Sequence, residues 1–489
     1  MSGARVAFPT VRANPGFGGA REGASLAGRL RDAFDGFAQR SPARFAILVF
    51  TGLILILAAI LATPWASSSR NPVPFVDALF TAVSAICVTG LTTVDMATQW
   101  SVFGNVAILV GLQVGGIGVL TMASILGLIV SRRLGLKQRL IAASDTNPSR
   151  VHGGPVSESQ AIRLGDIGSL LATVALSALI IELFLTALIV PRLLLAGLDP
   201  WAAIWKGFYF AASAFTNTGF VPTVEGVEPF ATDPWFLSVI GAGVFLGSLG
   251  FPVIFGLLRL VKIRARLSLH SKLTLFTTIA LAILGAIAIL VLEWSNPATL
   301  GGQDAIARPM TAGFMSLMTR SGGFANVDVD QMNGSTLLVM DMLMFVGGGS
   351  ASTAGGIKVT TLAVLFLAAF AEAKGYSDVQ VMERRIPVDV LRLSVSVVLW
   401  GATIVATASI AILHITGEPL DRVLFDVISA FATCGLSTGL TTELPDSGKY
   451  ILAATMWAGR VGTVTLAASL AARQRRQLFM RAEERPIVG

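Results

Sequence analysis

FTAVSAICVTGL (80–91), YFAASAFTNTGF (209–220) and FDVISAFATCGL (425–436) align without a gap on a single glycine. An aromatic residue stands ten positions before that glycine, Ser-Ala stands six and five before it, and Leu or Phe follows it. A fourth stretch, MTRSGGF (318–324), keeps the Gly-Phe end at Gly323 and Phe324, and Asp328 repeats the place of Asp95, five residues after the glycine. Each glycine closes a semi-apolar segment too short to cross a bilayer: 75–88, 201–217, 310–321 and 420–433. Pro74, Pro200, Pro309 and Pro419 stand at the entries. Proline suits a helix start, where its missing N–H would be unpaired anyway.

Longer apolar runs flank these segments in pairs: 45–63 and 103–130, 168–195 and 235–260, 273–292 and an interrupted 335–370, 391–413 and 450–472. About 20 apolar residues span a hydrocarbon core. Of the 489 residues, 54% are hydrophobic and 13% charged, and the mean hydropathy is +0.73. A soluble domain carries about 25% charge, so this chain reads as an all-α polytopic membrane protein. Its organisation is four outer-helix, pore-loop, inner-helix repeats, eight spanning helices in all, around one central pore. The repeats cover 45–131, 167–266, 270–372 and 388–473, between a basic segment 1–44 and a tail 474–489. The first 44 residues lack a short apolar core with a cleavage site and are not read as a cleaved signal.

The net charge of +7 is membrane topology and not nucleic-acid binding. Basic residues crowd the links between repeats (Arg132, Arg133, Lys137, Arg139; Arg259, Lys262, Arg264; Lys374, Arg384, Arg385) and the C-terminus. The loop side carries only Arg70, Arg192, Lys206, Arg308, Arg422 and Lys449. By the positive-inside rule both termini and the links are cytoplasmic, in a cell (inner) membrane, and the loops dip in from outside. Cys87 and Cys434 are too few for a disulfide framework, and His152, His270 and His414 have no metal-ligand spacing. No nucleophile–base set or phosphate-cradling loop suggests an enzyme.

The repeated glycine has a physical reading. A cation crossing a bilayer needs oxygens to replace its hydration shell, and backbone carbonyls supply them. Aiming successive carbonyls to one side requires unusual dihedrals, which glycine reaches without steric cost. Non-helical backbone at membrane depth is tolerated only where it is buried in protein or lines a water-filled cavity. The competing reading of Ser-Ala-x-x-x-x-Gly is small-residue helix packing; three copies and a looser fourth, each between two spanning runs, weigh against it. The candidate filter is Val88, Thr89, Gly90 and Leu91; Asn217, Thr218, Gly219 and Phe220; Ser321, Gly322, Gly323 and Phe324; Thr433, Cys434, Gly435 and Leu436.

This pattern resembles the Trk/Ktr/HKT superfamily of potassium transporters, whose subunits carry four non-identical repeats of this kind. The resemblance covers nearly all of 45–472 and is closest to KtrB-like and TrkH-like members. The short polar N-terminal segment favours the KtrB-like branch, since TrkH-like members usually carry two extra N-terminal helices. In the family, Gly at the position of Gly90 goes with potassium over sodium selectivity. The resemblance further implies a homodimer, a cytosolic ring of RCK/KTN-type nucleotide-binding subunits on the basic links, and sodium as an activator. Nucleotide would act only through that partner.

The run GGGSASTAGGIK (347–358) interrupts the second helix of repeat three. Five glycines in ten residues each cost about 1 kcal/mol in a helix interior, so the break serves a purpose. The resemblance implies an intramembrane gate formed by Gly347, Gly348, Gly349, Ser350, Ala351, Ser352, Thr353, Ala354, Gly355, Gly356 and Lys358, obstructing the pore below the filter. A glycine zipper is the alternative, weakened by the clustered hydroxyls. Arg460, mid-helix in 450–472, is implied to join that barrier, with a structural ion pair as its alternative. Arg320, Asp341 and Glu182 also lie at membrane depth, where charges are expensive. They are read as structural ion-pair candidates, ion coordination by either carboxylate being the alternative. Two other functions compete: a sodium or mixed monovalent cation conductor on the same scaffold, and a broken-helix secondary transporter. The latter would show two related halves, not four.

Overall fold

The structure, a computed structural model, describes residues 42–118, 167–224, 226–264 and 266–462. The chain divides into Met1–Phe45 and Ala46–Gly489. Of the first unit only 42–45, helical, are described, and the second carries everything below. The expected segments 1–41 and 474–489, the basic link 132–163 and the ends of the runs 103–130 and 450–472 lie outside the described residues.

The second unit is helical. Among the described residues three helices are long and apolar enough to cross a membrane: Ala172–Leu195, Leu269–Glu293 and Val388–Thr416. Ile47–Leu61, Val102–Gly118, Gly334–Phe345 and Val359–Ala373 are shorter apolar helices. Four short helices, Phe75–Cys87, Pro200–Phe215, Arg308–Met318 and Leu420–Ala432, coincide with the semi-apolar segments of the sequence. Their starts follow the proline logic: Pro200 opens its helix behind the Asp199 carboxylate, which accepts from Trp201 N, and Pro309 occupies the first turn of its own. More than half of the residues in each of the four are buried, and Phe80, Tyr209, Phe210, Phe425 and Phe431 among their side chains are sealed from solvent. The faces of the long helices instead expose Leu, Ile and Phe, as in Phe184, Phe276 and Leu399. Apolar residues outside and packed loops inside are what hydrocarbon surroundings favour. The last described helix, Asp446–Trp457, passes into a π-helical turn, Ala458–Gly462. A two-residue ladder, Gln380–Val381 against Arg384–Arg385, closes the link before Val388.

One expectation fails here. The run 235–260 is not a single straight span: Pro234–Leu249 and Phe251–Val261 meet at 103°. Gly250 makes the corner at φ 87°, ψ 150°, a region open almost only to glycine. Pro252 follows in the first turn of the next helix and cannot continue the hydrogen-bond ladder of the previous one. The corner is also occupied from outside, because Phe251 N donates to Ala351 O at 3.2 Å. A Cβ on Gly250 would stand 2.7 Å from Ser350 O and 2.8 Å from Ala351 O.

Gly250→Ala should therefore lower stability by about 1–3 kcal/mol through backbone strain alone, with the crowded carbonyls adding to it. Thermal unfolding of the purified protein in detergent measures this. An unchanged Tm would mean that the corner does not depend on glycine.

Candidate functional site

The four short helices end in the same backbone manoeuvre. Val88, Asn217, Ser321 and Thr433 adopt φ of 57°, 60°, 69° and 47°, and the glycine two residues later adopts 91°, 80°, 74° and 95°. In the first, second and fourth loops the N–H just before the glycine returns to the serine carbonyl: Thr89 N to Ser84 O, Thr218 N to Ser213 O and Cys434 N to Ser429 O, each at 2.8 Å. The serine hydroxyls add a second brace, Ser84 Oγ accepting from Gly90 N at 3.0 Å and Ser429 Oγ from Gly435 N at 3.1 Å. This is why serine stands six residues before the glycine. The third loop has Leu317 there and closes differently, Gly322 N donating to Met318 O at 2.8 Å.

The loops meet one another. A Cβ on Gly90 would overlap Thr218 O of loop two, and one on Gly435 would overlap Thr89 O of loop one. A Cβ on Gly219 would lie 3.0 Å from Gly322 O, and one on Gly323 2.8 Å from Cys434 O. Each glycine thus faces the carbonyl preceding the glycine of the next loop, and the order one, two, three, four, one closes a ring. Sixteen residues singled out in the sequence are thereby brought to one place as four equivalent quartets. Thr89, Thr218, Asn217, Ser321 and Thr433 are buried, as are the side chains of Leu91, Phe220, Phe324 and Leu436.

Sequence reasoning missed the anchors just past the ring. Asp77 accepts from Thr93 Oγ1 at 2.8 Å and Lys449 Nζ at 2.7 Å. Asp426 accepts from Thr438 N at 2.9 Å and Ser437 Oγ at 2.7 Å. Thr93 and Thr438 both stand three residues after their glycines, a signal that was present in the alignment. Arg422 ties the outer segments together, reaching Asp330 at 3.1 Å, Glu418 at 3.0 Å and Thr438 O at 3.2 Å.

The glycine segment packs directly against the ring. Val346 and Ile357 form a parallel bridge that pinches its ends, with Gly347 N donating to Ile357 O at 2.8 Å. Within it, Thr353 Oγ1 donates to Asn217 Oδ1 at 2.8 Å, and Gly355 N donates to Ser321 Oγ at 3.3 Å. Ser321 Oγ itself donates to Thr433 O at 2.5 Å, so loops two, three and four all touch the segment or its support. Gly349 N donates to Ser248 O at 2.7 Å, next to the Gly250 corner. Ser352 Oγ closes on Gly349 O at 2.6 Å and Ser350 on Thr360 at 3.0 Å. Gly348 and Gly356 press on Ala354 and Ala432, and Ala351 is left-handed at φ 57°. Lys358 Nζ holds Ala354 O at 2.6 Å. Arg460, 2% exposed, donates from its guanidinium to Thr353 O. The π-helical turn aims it there.

The ion-pair expectation is corrected. Arg320, wholly buried, gives its guanidinium to a backbone carbonyl, Val346 O, at 2.7 Å, and Glu182 accepts from Gln113 Nε2 at 2.5 Å. Neither pairs with Asp341, whose Oδ1 is buried without a hydrogen-bond partner among the described residues. A backbone carbonyl and an amide can each satisfy part of a buried charge, and neither leaves a charge pattern in a sequence.

With this geometry in view, residues 29–476 match the family model TrkH, described as a cation transport protein. The chain belongs to that family. Its members are transporters and not enzymes. Ktr system potassium uptake protein B of Vibrio alginolyticus is 34% identical over 432 residues, covering 88% of this chain and 91% of that one. The potassium/sodium uptake protein NtpJ of Enterococcus hirae is 31% identical over 435 residues, covering 88% and 93%. The crystal structure of the potassium transporter TrkH from Vibrio parahaemolyticus shares the fold at a TM-score of 0.63, with 18% identity over 87% of this chain and 84% of that one.

Ser321→Ala tests the junction of loops and segment. Serine and alanine bear the same left-handed strain, so only the hydroxyl is lost. The cost should be about 1–2 kcal/mol. Amide hydrogen exchange in 347–358 should rise, because Gly355 N loses its acceptor. Exchange equal to the parent's would show that Ser321 does not hold the segment.

Proposed function

We propose that this chain is the ion-conducting membrane subunit of a Ktr/Trk-type potassium uptake system. Four outer-helix, pore-loop, inner-helix repeats surround one pore in a cell (inner) membrane, with both termini cytoplasmic. The observation that carries the reading is the closed ring of glycine loops. Potassium is the cargo. It sheds its hydration shell at the backbone carbonyls of 88–91, 217–220, 321–324 and 433–436 and passes along the ring axis. The short helices end at the ring, so their negative dipole ends favour a cation there. Family membership and the similarity to a potassium uptake protein support the same cargo.

The glycine segment 347–356, with Lys358 and Arg460, is the gate. Hydrogen bonds to Asn217, Ser321 and Arg460 seat it against the ring. Arg460 contributes in two ways: it clamps Thr353 O, and it adds positive charge to the path. At ~6 Å and an effective dielectric of ~20, that repulsion is roughly 3 kcal/mol. The working unit is a homodimer in lipid, regulated by a cytosolic RCK/KTN-type nucleotide-binding ring, with sodium as an activator. A second reading, conduction of sodium together with potassium, is favoured by the similarity to a potassium/sodium uptake protein. A reversal potential that tracks potassium and ignores sodium decides between them.

Gly90→Ser should admit sodium. Serine at φ +91° is strained, and its Cβ would push Thr218 O out of the ring. The potassium-to-sodium permeability ratio in liposome flux should fall several-fold. An unchanged ratio with normal flux would remove Gly90 from the filter.

Arg460→Ala should speed rubidium uptake at equal membrane expression, by about tenfold or more, since both clamp and repulsion are lost. Slower uptake with reduced expression would instead assign Arg460 a structural role.

A further inference from the structure

Asp341 lies two turns into the helix Gly334–Phe345, which runs directly into the glycine segment. It is 4% exposed, and its Oδ1 is buried without a hydrogen-bond partner among the described residues. It lines a cavity of about 370 Å³ in the groove between that helix and Leu420–Ala432. Asp421 lines the same cavity from the other side. Its Oδ2 reaches across the groove, to 3.9 Å from where a Cβ on Gly334 would stand. The remaining walls are apolar: Leu337, Leu338, Leu420 and Leu424.

Among the described residues no cation pairs with either of these two carboxylates. The charges that act on Asp341 are those of Asp426 and Asp421, both of its own sign. Asp426 is already occupied by Ser437 and Thr438. Arg422, one residue from Asp421, is committed to Asp330, Glu418 and Glu443. A desolvated, unpaired polar group is costly to keep. The cavity therefore calls for a positively charged hydrogen-bond donor.

The walls choose its kind. A hard metal ion wants six or more oxygens, and no group of three His, Cys, Asp or Glu side chains stands together among the described residues. An ammonium brings three donors of its own, and an attached hydrocarbon chain gains by covering the leucines. We propose that this groove is a binding site for a primary alkylammonium, its nitrogen held between Asp341 and Asp421 and its chain against the leucines. Such an ion could come from an aminophospholipid headgroup or from a free amine. Bound, it would bridge the helix that carries the glycine segment to the helix that carries loop four.

The test uses the full chain in phosphatidylcholine nanodiscs, with n-hexylammonium chloride as the probe and calorimetric titration against empty discs as the readout. Saturable binding is expected, weakened at least tenfold by Asp341→Asn. Asp421→Asn, at an exposed position, should weaken it several-fold. Leu338→Trp, which fills the cavity and keeps both carboxylates, should abolish it. Hexyltrimethylammonium, which has no N–H, should not compete. Discs containing phosphatidylethanolamine separate the sources: a several-fold weaker apparent affinity means the lipid headgroup occupies the site, and an unchanged affinity means a free amine does. Both results uphold an ammonium site. Binding equal to wild type in both Asn variants would overturn the proposal. So would the absence of saturable binding, or displacement of the probe by millimolar sodium or potassium.

Discussion

Backbone oxygens stand where the side chains of Gly90, Gly219, Gly323 and Gly435 would begin, and the rest of the molecule is arranged around that crowding. Four loops can approach this closely only if no Cβ intervenes and if each turns left-handed twice within three residues. Such backbone is unstable alone. It persists because the short helices behind it are largely buried, because serine hydroxyls brace two of the loops, and because Asp77 and Asp426 fix the chain just beyond. Strain at the centre is held by satisfaction around it.

The same economy appears beneath the ring. Asn217 and Ser321 are left-handed residues of the loops, and their side chains are also the seats of the glycine segment. Two residues thus carry both the shape of the ring and its contact with what lies below. Any displacement of the segment leaves Asn217 Oδ1 and Ser321 Oγ short of partners in a buried place, which couples the two assemblies energetically. The corner at Gly250 extends that coupling to a third element, since the carbonyls of Ser350 and Ala351 fill its concave side.

Much of this was legible in the sequence, for identifiable reasons. A glycine at a fixed distance from Ser-Ala marks a backbone constraint, and even the divergent third loop keeps it at Gly323, where a Cβ would stand 2.8 Å from Cys434 O. The broken helix at 347–358 was legible because glycine is so poor a helix former. The 103° bend was not, because hydropathy records how apolar a run is and not its direction. Arg320 was misread because its partner is the carbonyl of Val346, which any residue could have supplied. Thr93 and Thr438 were overlooked although they repeat, being ordinary residues whose role depends on Asp77 and Asp426 coming from a different turn of chain.

The ring runs in chain order, so its last joint is made between the two ends of the described unit. Lys449 meets Asp77 across 372 positions, and the Trp457 indole reaches Thr51 across 406. Local contacts can assemble an arc of three loops, but closing the circle waits for pairings hundreds of positions apart. During synthesis the first helices therefore sit in the bilayer long before the last arrives. Until then the ring is an open arc, with loop four still missing. The topology itself withholds the closed ring from an unfinished chain.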